Sequence, residues 1–374
     1  ILGQRANRRL LAPSEGLNGL TIGACHMDAV NPNGSSPLAV DPYASSFLPN
    51  PSSALGLGYL RGVKPEILLP GGREHVRANS NMAPIEVRPA DKPGTYFGIG
   101  AAAPGPAGET NRKLNYSGTS VATALATHSA LRILEALEDI PADPPHPEVD
   151  PAFHAVILKS MLVHAARWDG DIAAKIQEIA KENGADYWEH RRDDVSRFLG
   201  FGIVDIERVI ECAENRATLI GWNTIHAKES DEFRIPLPPE IENTAGFRAV
   251  TATVAWLTPL NTEHRMYRMA KFEVEPGGDK GLSLGVENSK EQPSHNAFGR
   301  GTIFQRRWEG DDAKAFVDGG DLVLSVTCKP AAGDLDVAIP YGIAVTLEVG
   351  ADVPVQVYER VREQLRQRVA VPVP

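Results

Sequence analysis

The chain has 374 residues, of which 42% are hydrophobic and 23% charged, values that are ordinary for a globular protein of two or three domains. Its 38 basic and 48 acidic residues give a net charge of −10, which argues against nucleic acids and membrane surfaces as partners. Three widely spaced cysteines and no run of about 18 apolar residues argue against a disulfide framework and a transmembrane helix. We therefore expect a reducing, cytoplasmic location.

The first part of the chain predicts short buried strands separated by turns. Residues 20–25 and 66–69 are apolar runs, and a Pro-Gly-Gly turn closes the second. Such runs are typical of strands in a parallel sheet. A helix is predicted over 120–137, with small residues crowded into its first turns, as a helix pressed against a sheet requires. We expect Ala122 and Ala126 to face that sheet.

Further helices complete this region. Apolar residues at helical spacing predict a helix over 152–166, with His164 as a core or boundary histidine on its apolar face. Residues 172–182 indicate an exposed, charged helix in an insertion. The mixed-sign run 189–194 is interpreted as a solvated face. The helical region is expected to close the first domain near residue 215.

From about residue 217 the hydrophobic period changes to two. Apolar and polar or small residues alternate over 249–256, 322–328 and 341–349, and Gly, Pro and Asp turns separate these runs. This pattern predicts an antiparallel β-sandwich, followed by a charged helix over 354–368. The prediction is thus an α/β domain over 1–215 and a β-sandwich domain over 216–374.

One segment carries the chemistry. Residues 115–123 read Asn-Tyr-Ser-Gly-Thr-Ser-Val-Ala-Thr, which places Ser120 at the start of a helix, just after a glycine turn. A helix N-terminus offers unpaired N–H groups and the positive end of the helix dipole. A nucleophilic serine there can hold an oxyanion with its own backbone N–H, and Gly118 allows a substrate to approach the backbone closely. The alternative is that Ser120 is an ordinary N-cap.

These residues resemble the nucleophile motif of the subtilisin-like serine proteases, Gly-Thr-Ser-x-Ala-(Ser/Thr)-Pro. Two upstream blocks follow in the order of that family. Residues 20–24 resemble its strand ending in Val-Gly-Ala, and 63–71 resemble its Lys-Pro-Asp strand ending in Ala-Pro-Gly. The resemblance covers about residues 1–215, the C-terminal half of the catalytic domain. It implies a parallel sheet flanked by helices, with Ser120 as nucleophile and its N–H as an oxyanion donor. It also assigns Pro13, Ser14, Glu15 and Gly118 to substrate binding.

The sequence departs from the family pattern in three respects. Ala124 stands where the family has the proline of the nucleophile motif. The family's Asp-(Ser/Thr)-Gly and His-Gly-Thr blocks do not occur, and no Gly-Asn pair offers the oxyanion asparagine. Because the chain begins at Ile1, we expect the catalytic Asp, His and Asn on a missing upstream segment. This chain alone is then expected to be inactive.

The remaining histidines do not replace the missing base convincingly. His26 lies beside Asp28, but no third ligand has suitable spacing, so a structural role is favoured over a metal site. His128 lies along the same helix as Ser120 and points away from its N-terminus. His75 stays open as a base. No metal or other cofactor is expected, and no Asp-rich loop supports calcium.

Residues 253–261, which read Thr-Val-Ala-Trp-Leu-Thr-Pro-Leu-Asn and are followed by Tyr267 and Arg268, resemble the C-terminal domain of bacterial subtilisin-like proteins that are often paired with an AAA-type ATPase. The leading hypothesis is a serine endopeptidase whose partners are a protein or peptide substrate, its own upstream segment and such an ATPase. The alternative is a non-catalytic scaffold built on a degenerate protease half. An α/β-hydrolase esterase is disfavoured, because Ala122 replaces the second glycine of its Gly-x-Ser-x-Gly motif.

Overall fold

A computed structural model describes residues 8–28, 40–43, 47–79, 86–89, 97–140, 146–185, 187–211, 213–242, 245–276, 284–311, 320–353 and 355–370. The strands are β1 Ile22–Cys25, β2 Ile67–Pro70, β3 Val76–Asn79, β4 Glu86–Pro89, β5 Ile99–Ala102, β6 Lys113–Tyr116, β7 Ala166–Arg167, β8 Ile203–Val204, β9 Arg216–Ile225, β10 Ser230–Pro236, β11 Arg248–Trp256, β12 Ala270–Pro276, β13 Glu287–Asn288, β14 Ile303–Gly310, β15 Asp321–Pro330 and β16 Ile339–Val349. The helices are α1 Thr119–Glu138, α2 His154–His164, α3 Gly170–Glu182, α4 Trp188–Leu199, α5 Glu207–Ile210, α6 His295–Phe298 and α7 Val357–Ala370.

The chain divides into two compact units, and the fold is of the mixed α/β class. The first unit comprises Ile1–Gly16, Leu20–Ser129 and Ala166–Val204, and the second comprises Leu17–Gly19, Ala130–Ala165 and Asp205–Pro374. The sequence analysis drew one boundary at residue 215, whereas these contacts group α2 with the later strands. No helix in the described part of the chain is long and apolar enough to cross a membrane.

The first unit is built on a four-stranded sheet of order β1-β2-β8-β7. β1 and β2 run parallel, with Ile22 opposite Ile67 and Cys25 opposite Pro70. β2 and β8 are also parallel, whereas β7 is antiparallel to β8. The prediction that both apolar runs lie in one largely parallel sheet is therefore confirmed. Two separate hairpins, β3–β4 and β5–β6, complete the strands of this unit.

Helices α3 and α4 supply about half of one buried hydrophobic cluster in the first unit. Ile172 and Ile176 of α3 and Val195, Phe198 and Leu199 of α4 share a buried cluster with strand residues, which include Cys25 and Leu68. The expectation that 172–182 is an exposed insertion is wrong, because its isoleucines form an apolar stripe at helical spacing. The expectation of a solvated face over 189–194 is wrong in part, because Asp194 is buried within α4.

The second unit contains two antiparallel sheets. One has the order β10-β15-β12 and the other β13-β14-β11-β16-β9. β15 shows the predicted alternation, with Leu322, Leu324, Val326 and Cys328 buried. Trp256 stacks on Phe272 with ring centroids 4.7 Å apart, which brings a strand of each sheet together.

The alternation predicted for residues 249–256 does not place one face in solvent. All nine residues of β11 are buried, because α2 packs on this sheet. Gly342 permits the approach, since a Cβ atom there would lie 2.8 Å from the carbonyl carbon of Val156. His164 is a buried core histidine, as predicted: its Nδ1 lies 2.8 Å from Thr253 Oγ1 and its Nε2 lies 2.6 Å from Thr346 Oγ1.

Gly202 is expected to be essential for the stability of the first unit. It has φ +132°, and a Cβ atom there would overlap the backbone of Arg167, 2.6 Å from its nitrogen. Gly202→Ala should cost about 3 kcal/mol or more of unfolding free energy, because it adds backbone strain to a clash that backbone atoms cannot relieve.

The matched control is Gly184→Ala, because Gly184 also has a positive φ, +85°, but no atom lies within 4 Å of its built Cβ. That substitution should cost about 1 kcal/mol. Urea denaturation of both variants measures the difference. Equal losses would show that the close approach at Gly202 contributes nothing.

Candidate active site

Ser120 lies in the first turn of α1, two residues after a glycine with positive φ. β6 ends at Tyr116, and Gly118 turns the chain into the helix with φ +113°, a conformation that favours glycine. The Ser120 side chain is exposed. Ala122 and Ala126 are buried on the opposite side of the helix, with 0% and 5% exposure. α1 is therefore anchored by its small residues and presents Ser120 outward.

The three sequence blocks of the predicted protease motif meet at Gly71. A Cβ atom at Gly71 would overlap Ala24 Cβ and would lie 3.1 Å from the carbonyl oxygen of Gly118. The Gly71 N–H donates to Cys25 O at 2.9 Å, and the Gly118 N–H donates to Gly71 O at 2.7 Å. A glycine is required at Gly71 because backbone and side chains approach it from both sides. The turn after β2 thus fixes the turn before Ser120 directly.

Two further glycines hold the β5–β6 hairpin against the same turn. A Cβ atom at Gly72, where φ is +73°, would lie 2.8 Å from Gly98 Cα and 2.9 Å from Tyr116 O. Gly98 has φ +105°, and a Cβ atom there would overlap the carbonyl oxygen of Tyr116. The segment that leads into Ser120 is therefore packed directly against other backbone. These contacts leave no room for a side chain at Gly72 or Gly98.

The polar groups of Ser120 are open to a ligand. Within the described ranges, no hydrogen bond reaches its Oγ, and its backbone N–H has no acceptor. An unpaired N–H at a helix N-terminus is suited to a developing oxyanion, because the helix dipole adds positive potential there. The arrangement offers one hydroxyl and one oxyanion donor on the same residue.

A buried polar network lies beside Gly71. His26 is 4% exposed, with Nε2 at 2.8 Å from Asp41 Oδ1 and Nδ1 at 3.1 Å from Asn50 Oδ1. Asn50 is fully buried, and its Nδ2 donates to Gly71 O at 3.2 Å. Burial alone would raise the pKa of Asp41, yet that pKa lies below its ordinary value because the Tyr43 N–H and the His26 ring bond to the carboxylate.

His26 and Asp28 do not form a pair. Asp28 instead accepts from Arg73 Nε at 3.0 Å and from the Gly98 N–H at 3.0 Å. The favoured structural role of His26 agrees with this geometry. In the part of the chain that the structure describes, no group of three or more His, Cys, Asp or Glu residues could hold a metal ion.

His75, the histidine that sequence analysis kept open as a base, is packed rather than free. Its ring stacks on Phe97 with centroids 3.5 Å apart, and burial lowers its pKa. Its role as base stays a prediction. Sequence analysis missed the neighbouring Glu74, whose Oε1 lies 3.8 Å from a Cβ built at Gly118 and whose Oε2 accepts from the Ser52 N–H at 2.9 Å. Glu74 lies three residues after Gly71, where the sequence blocks meet. This short distance along the chain could have indicated Glu74 as a site residue.

The predicted substrate-binding residues Pro13, Ser14 and Glu15 form a turn. The Ser14 N–H donates to Leu11 O at 2.9 Å, and the Thr21 hydroxyl donates to Ser14 O at 2.6 Å. Pro13 and Glu15 are exposed. The turn is thus tied to the residue before β1, and its role in substrate binding stays a prediction.

The cysteine at the end of β1 is expected to be chemically inert. Burial raises the pKa of Cys25 to about 12, and burial also raises that of Cys328 to about 11. At pH 8 the thiolate fraction of each is then about 10⁻³ or less, and the thiolate is the reactive form. In a Cys212→Ser background, a disulfide-exchange reagent should find no thiol in the native protein and two in guanidinium chloride. Rapid native reaction would contradict this burial.

Comparisons with known proteins do not assign the chain to a family. No protein-family profile matches the chain. A protein of Sinorhizobium fredii (strain NBRC 101917 / NGR234) named uncharacterized protein y4bN is 23% identical over 274 residues, which is 70% of this chain and 54% of that protein. The chain therefore spans about half the length of the curated relative it matches. A solved structure, the Cyanophage Pam1 capsid asymmetric unit, gives a TM-score of 0.23 at 13% identity over 36% of this chain and 86% of that chain, which is too low to indicate a shared fold.

Proposed function

We propose that this chain is the nucleophile-bearing half of a subtilisin-like serine endopeptidase. Ser120 attacks the carbonyl carbon of a peptide bond, and its Oγ–C bond forms as a histidine removes the hydroxyl proton. The leaving amine takes that proton, and water then hydrolyses the acyl-enzyme. The Ser120 N–H stabilises the oxyanion of each tetrahedral intermediate.

The meeting of three separate sequence blocks at Gly71 is the observation that carries the proposal. Ala24, Gly71 and Gly118 belong to blocks about 47 residues apart along the chain, yet the built Cβ of Gly71 contacts both of the others. An ordinary N-cap serine requires no such convergence. A nucleophile does, because its position must be fixed to within about 0.5 Å.

The remaining catalytic groups are proposed to come from a segment N-terminal to the sequence printed here. That segment would carry an Asp-(Ser/Thr)-Gly block, a His-Gly-Thr block and the oxyanion asparagine. The partners proposed for the whole protein are a protein or peptide substrate and an AAA-type ATPase, and its proposed location is cytoplasmic.

A second candidate is a non-catalytic scaffold. It is favoured by one observation: across the described ranges, Ser120 Oγ has no hydrogen-bond partner, whereas a working nucleophile needs a base within about 3 Å. The upstream sequence distinguishes the two functions, because a scaffold has no need of the Asp and His blocks.

The proposal is tested with the longer protein, that is, this chain preceded by the proposed N-terminal segment. The measurement is hydrolysis of fluorescent casein. Ser120→Ala should abolish hydrolysis, whereas Ser117→Ala, which removes an exposed hydroxyl three residues earlier, should retain most of it. Equal activity in the unchanged protein and both variants would assign the hydrolysis to another site. A longer protein that has both upstream blocks and never hydrolyses casein or peptides would favour the scaffold.

A further inference from the structure

The turn at Gly118 that leads into Ser120 is called the nucleophile turn. The buried side chain of Asn50 can act on this turn through the carbonyl of Gly71. This carbonyl accepts the Gly118 N–H at 2.7 Å and the Asn50 side-chain amide at 3.2 Å. Gly118 lies two residues before Ser120, so a shift of this carbonyl carries the start of α1 with it. Asn50 is fixed from behind, because its own N–H donates to Ala24 O at 2.8 Å.

The Asn50 amide has one orientation that serves Gly71. Its Nδ2 must face the carbonyl, which turns Oδ1 toward Nδ1 of His26 at 3.1 Å. That contact is a hydrogen bond only when Nδ1 carries a proton, because an amide oxygen is an acceptor. The Glu74 N–H also points at Nδ1, from 3.2 Å, and it can donate only when Nδ1 lacks a proton. The two contacts therefore exclude each other.

The other ring nitrogen keeps its partner throughout. Nε2 lies 2.8 Å from Asp41 Oδ1. Because an ionised carboxylate only accepts, Nε2 must carry a proton and donate in the neutral ring as well as in the doubly protonated ring. The protonated ring thus satisfies Asp41 and Asn50, whereas the neutral ring satisfies Asp41 and Glu74 and leaves two lone pairs facing each other across 3.1 Å. Histidine is the side chain whose charge changes between pH 5 and 8. Among the described residues, the charged and titratable groups around this ring are Arg8, Asp28, Asp41, Tyr43, Arg73, Glu74 and His75.

We infer that His26 is a positioning residue that sets the nucleophile turn according to its protonation, through Asn50 and the carbonyl of Gly71. The protonated ring holds the Asn50 amide toward Gly71 and keeps the Gly118 turn in place. When Nδ1 loses its proton, it accepts a hydrogen bond from the Glu74 N–H instead of donating one to Asn50, and the turn loosens. The catalytic meaning of this coupling rests on the proposed function of Ser120, whereas the coupling itself does not.

The test follows His26 and Gly118 in one sample by NMR. Ser117–Gly118 is the only Ser-Gly pair in the sequence, so carbonyl-¹³C serine with ¹⁵N glycine gives a single carbonyl-linked amide signal, that of Gly118. The His26 ring signal is identified by its loss in His26→Gln. The chemical shift of the Gly118 amide should change with pH, and its midpoint should equal the midpoint of the His26 ring signal. The amide should lose this change in His26→Gln and in Asn50→Ala, and should keep it in His146→Gln, which removes an exposed histidine.

A Gly118 signal that stays still while His26 titrates, or a His26 ring that does not titrate between pH 5 and 9, would overturn the inference. The unchanged chain can overturn the inference even if a variant fails to fold, because a Gly118 signal that stays still between pH 5 and 9 excludes coupling to any titrating histidine. In the longer protein, Asn50→Ala should slow fluorophosphonate labelling of Ser120 about tenfold, the kinetic equivalent of one hydrogen bond. If the Gly118 signal follows His26 but Ser120 is never labelled, the proposed function alone is refuted. If Ser120 is labelled but the Gly118 signal does not follow His26, this inference alone is refuted.

Discussion

Residues 1–374 alone should react with a fluorophosphonate at least 10⁵-fold more slowly than the longer protein, to judge from the loss of about 2 × 10⁶ in kcat when subtilisin lacks its serine or histidine. That loss corresponds to roughly 8–9 kcal/mol of transition-state stabilisation. Stacking on Phe97 holds His75 in place, so it offers no ready replacement for the base.

Addition of the purified upstream segment should restore labelling of the separate chain. Ser120→Ala in the same mixture should stay unlabelled, which excludes reaction of another hydroxyl. Rapid labelling of the separate chain would contradict the account, because a base would then lie within these residues. His75→Gln would show whether that base is His75.

Gly71→Ala should lower the labelling rate of Ser120 in the longer protein by on the order of 100-fold, because displacement of a reacting group by about 1 Å has that effect. The added Cβ would overlap Ala24 Cβ and would lie 3.0 Å from Asn50 Nδ2, so the turn must move away from the sheet. The same overpacking should lower the unfolding free energy by about 1–3 kcal/mol.

The control is Gly100→Ala in the neighbouring hairpin. A Cβ there would lie at an ordinary contact distance of 3.4 Å from the side-chain oxygen of Asn115. Both variants are labelled well below their melting temperatures, so that loss of folded protein does not contribute. Labelling of Gly71→Ala at the rate of Gly100→Ala would show that the convergence at Gly71 does not position Ser120.

The local pattern of the sequence was sufficient for the elements that the site uses. The apolar runs 20–25 and 66–69, which turns close, contain the strands β1 and β2, and α1 follows from the spacing of its buried alanines. Alternation predicted both β11 and β15 correctly as strands, but only β15 shows alternating burial, because α2 covers the face of β11 that a two-layer sandwich would leave in solvent. The amphipathic stripe of α3 was visible, but its charged residues suggested exposure.

The contacts around Gly71 could not be read from the sequence. Asn50, Asp41 and Glu74 carry no motif, and their relation to His26 depends on loops that bring distant segments together. A glycine in a Pro-Gly-Gly turn indicates only a turn. Gly71 also contacts Ala24 and Gly118. These contacts depend on the parallel pairing of β1 with β2 and on the hairpin that precedes α1.

The most direct test of the central claim is the site of fluorophosphonate attachment in the longer protein, read by peptide mass spectrometry. The account predicts one adduct, on Ser120, within the tryptic peptide that extends from Leu114 to Arg132. Ser117 and Ser129 lie in the same peptide, so fragment ions must place the added mass between them. An adduct on either of those serines or on a different peptide, with Ser120 unmodified, would contradict the assignment of Ser120 as the nucleophile.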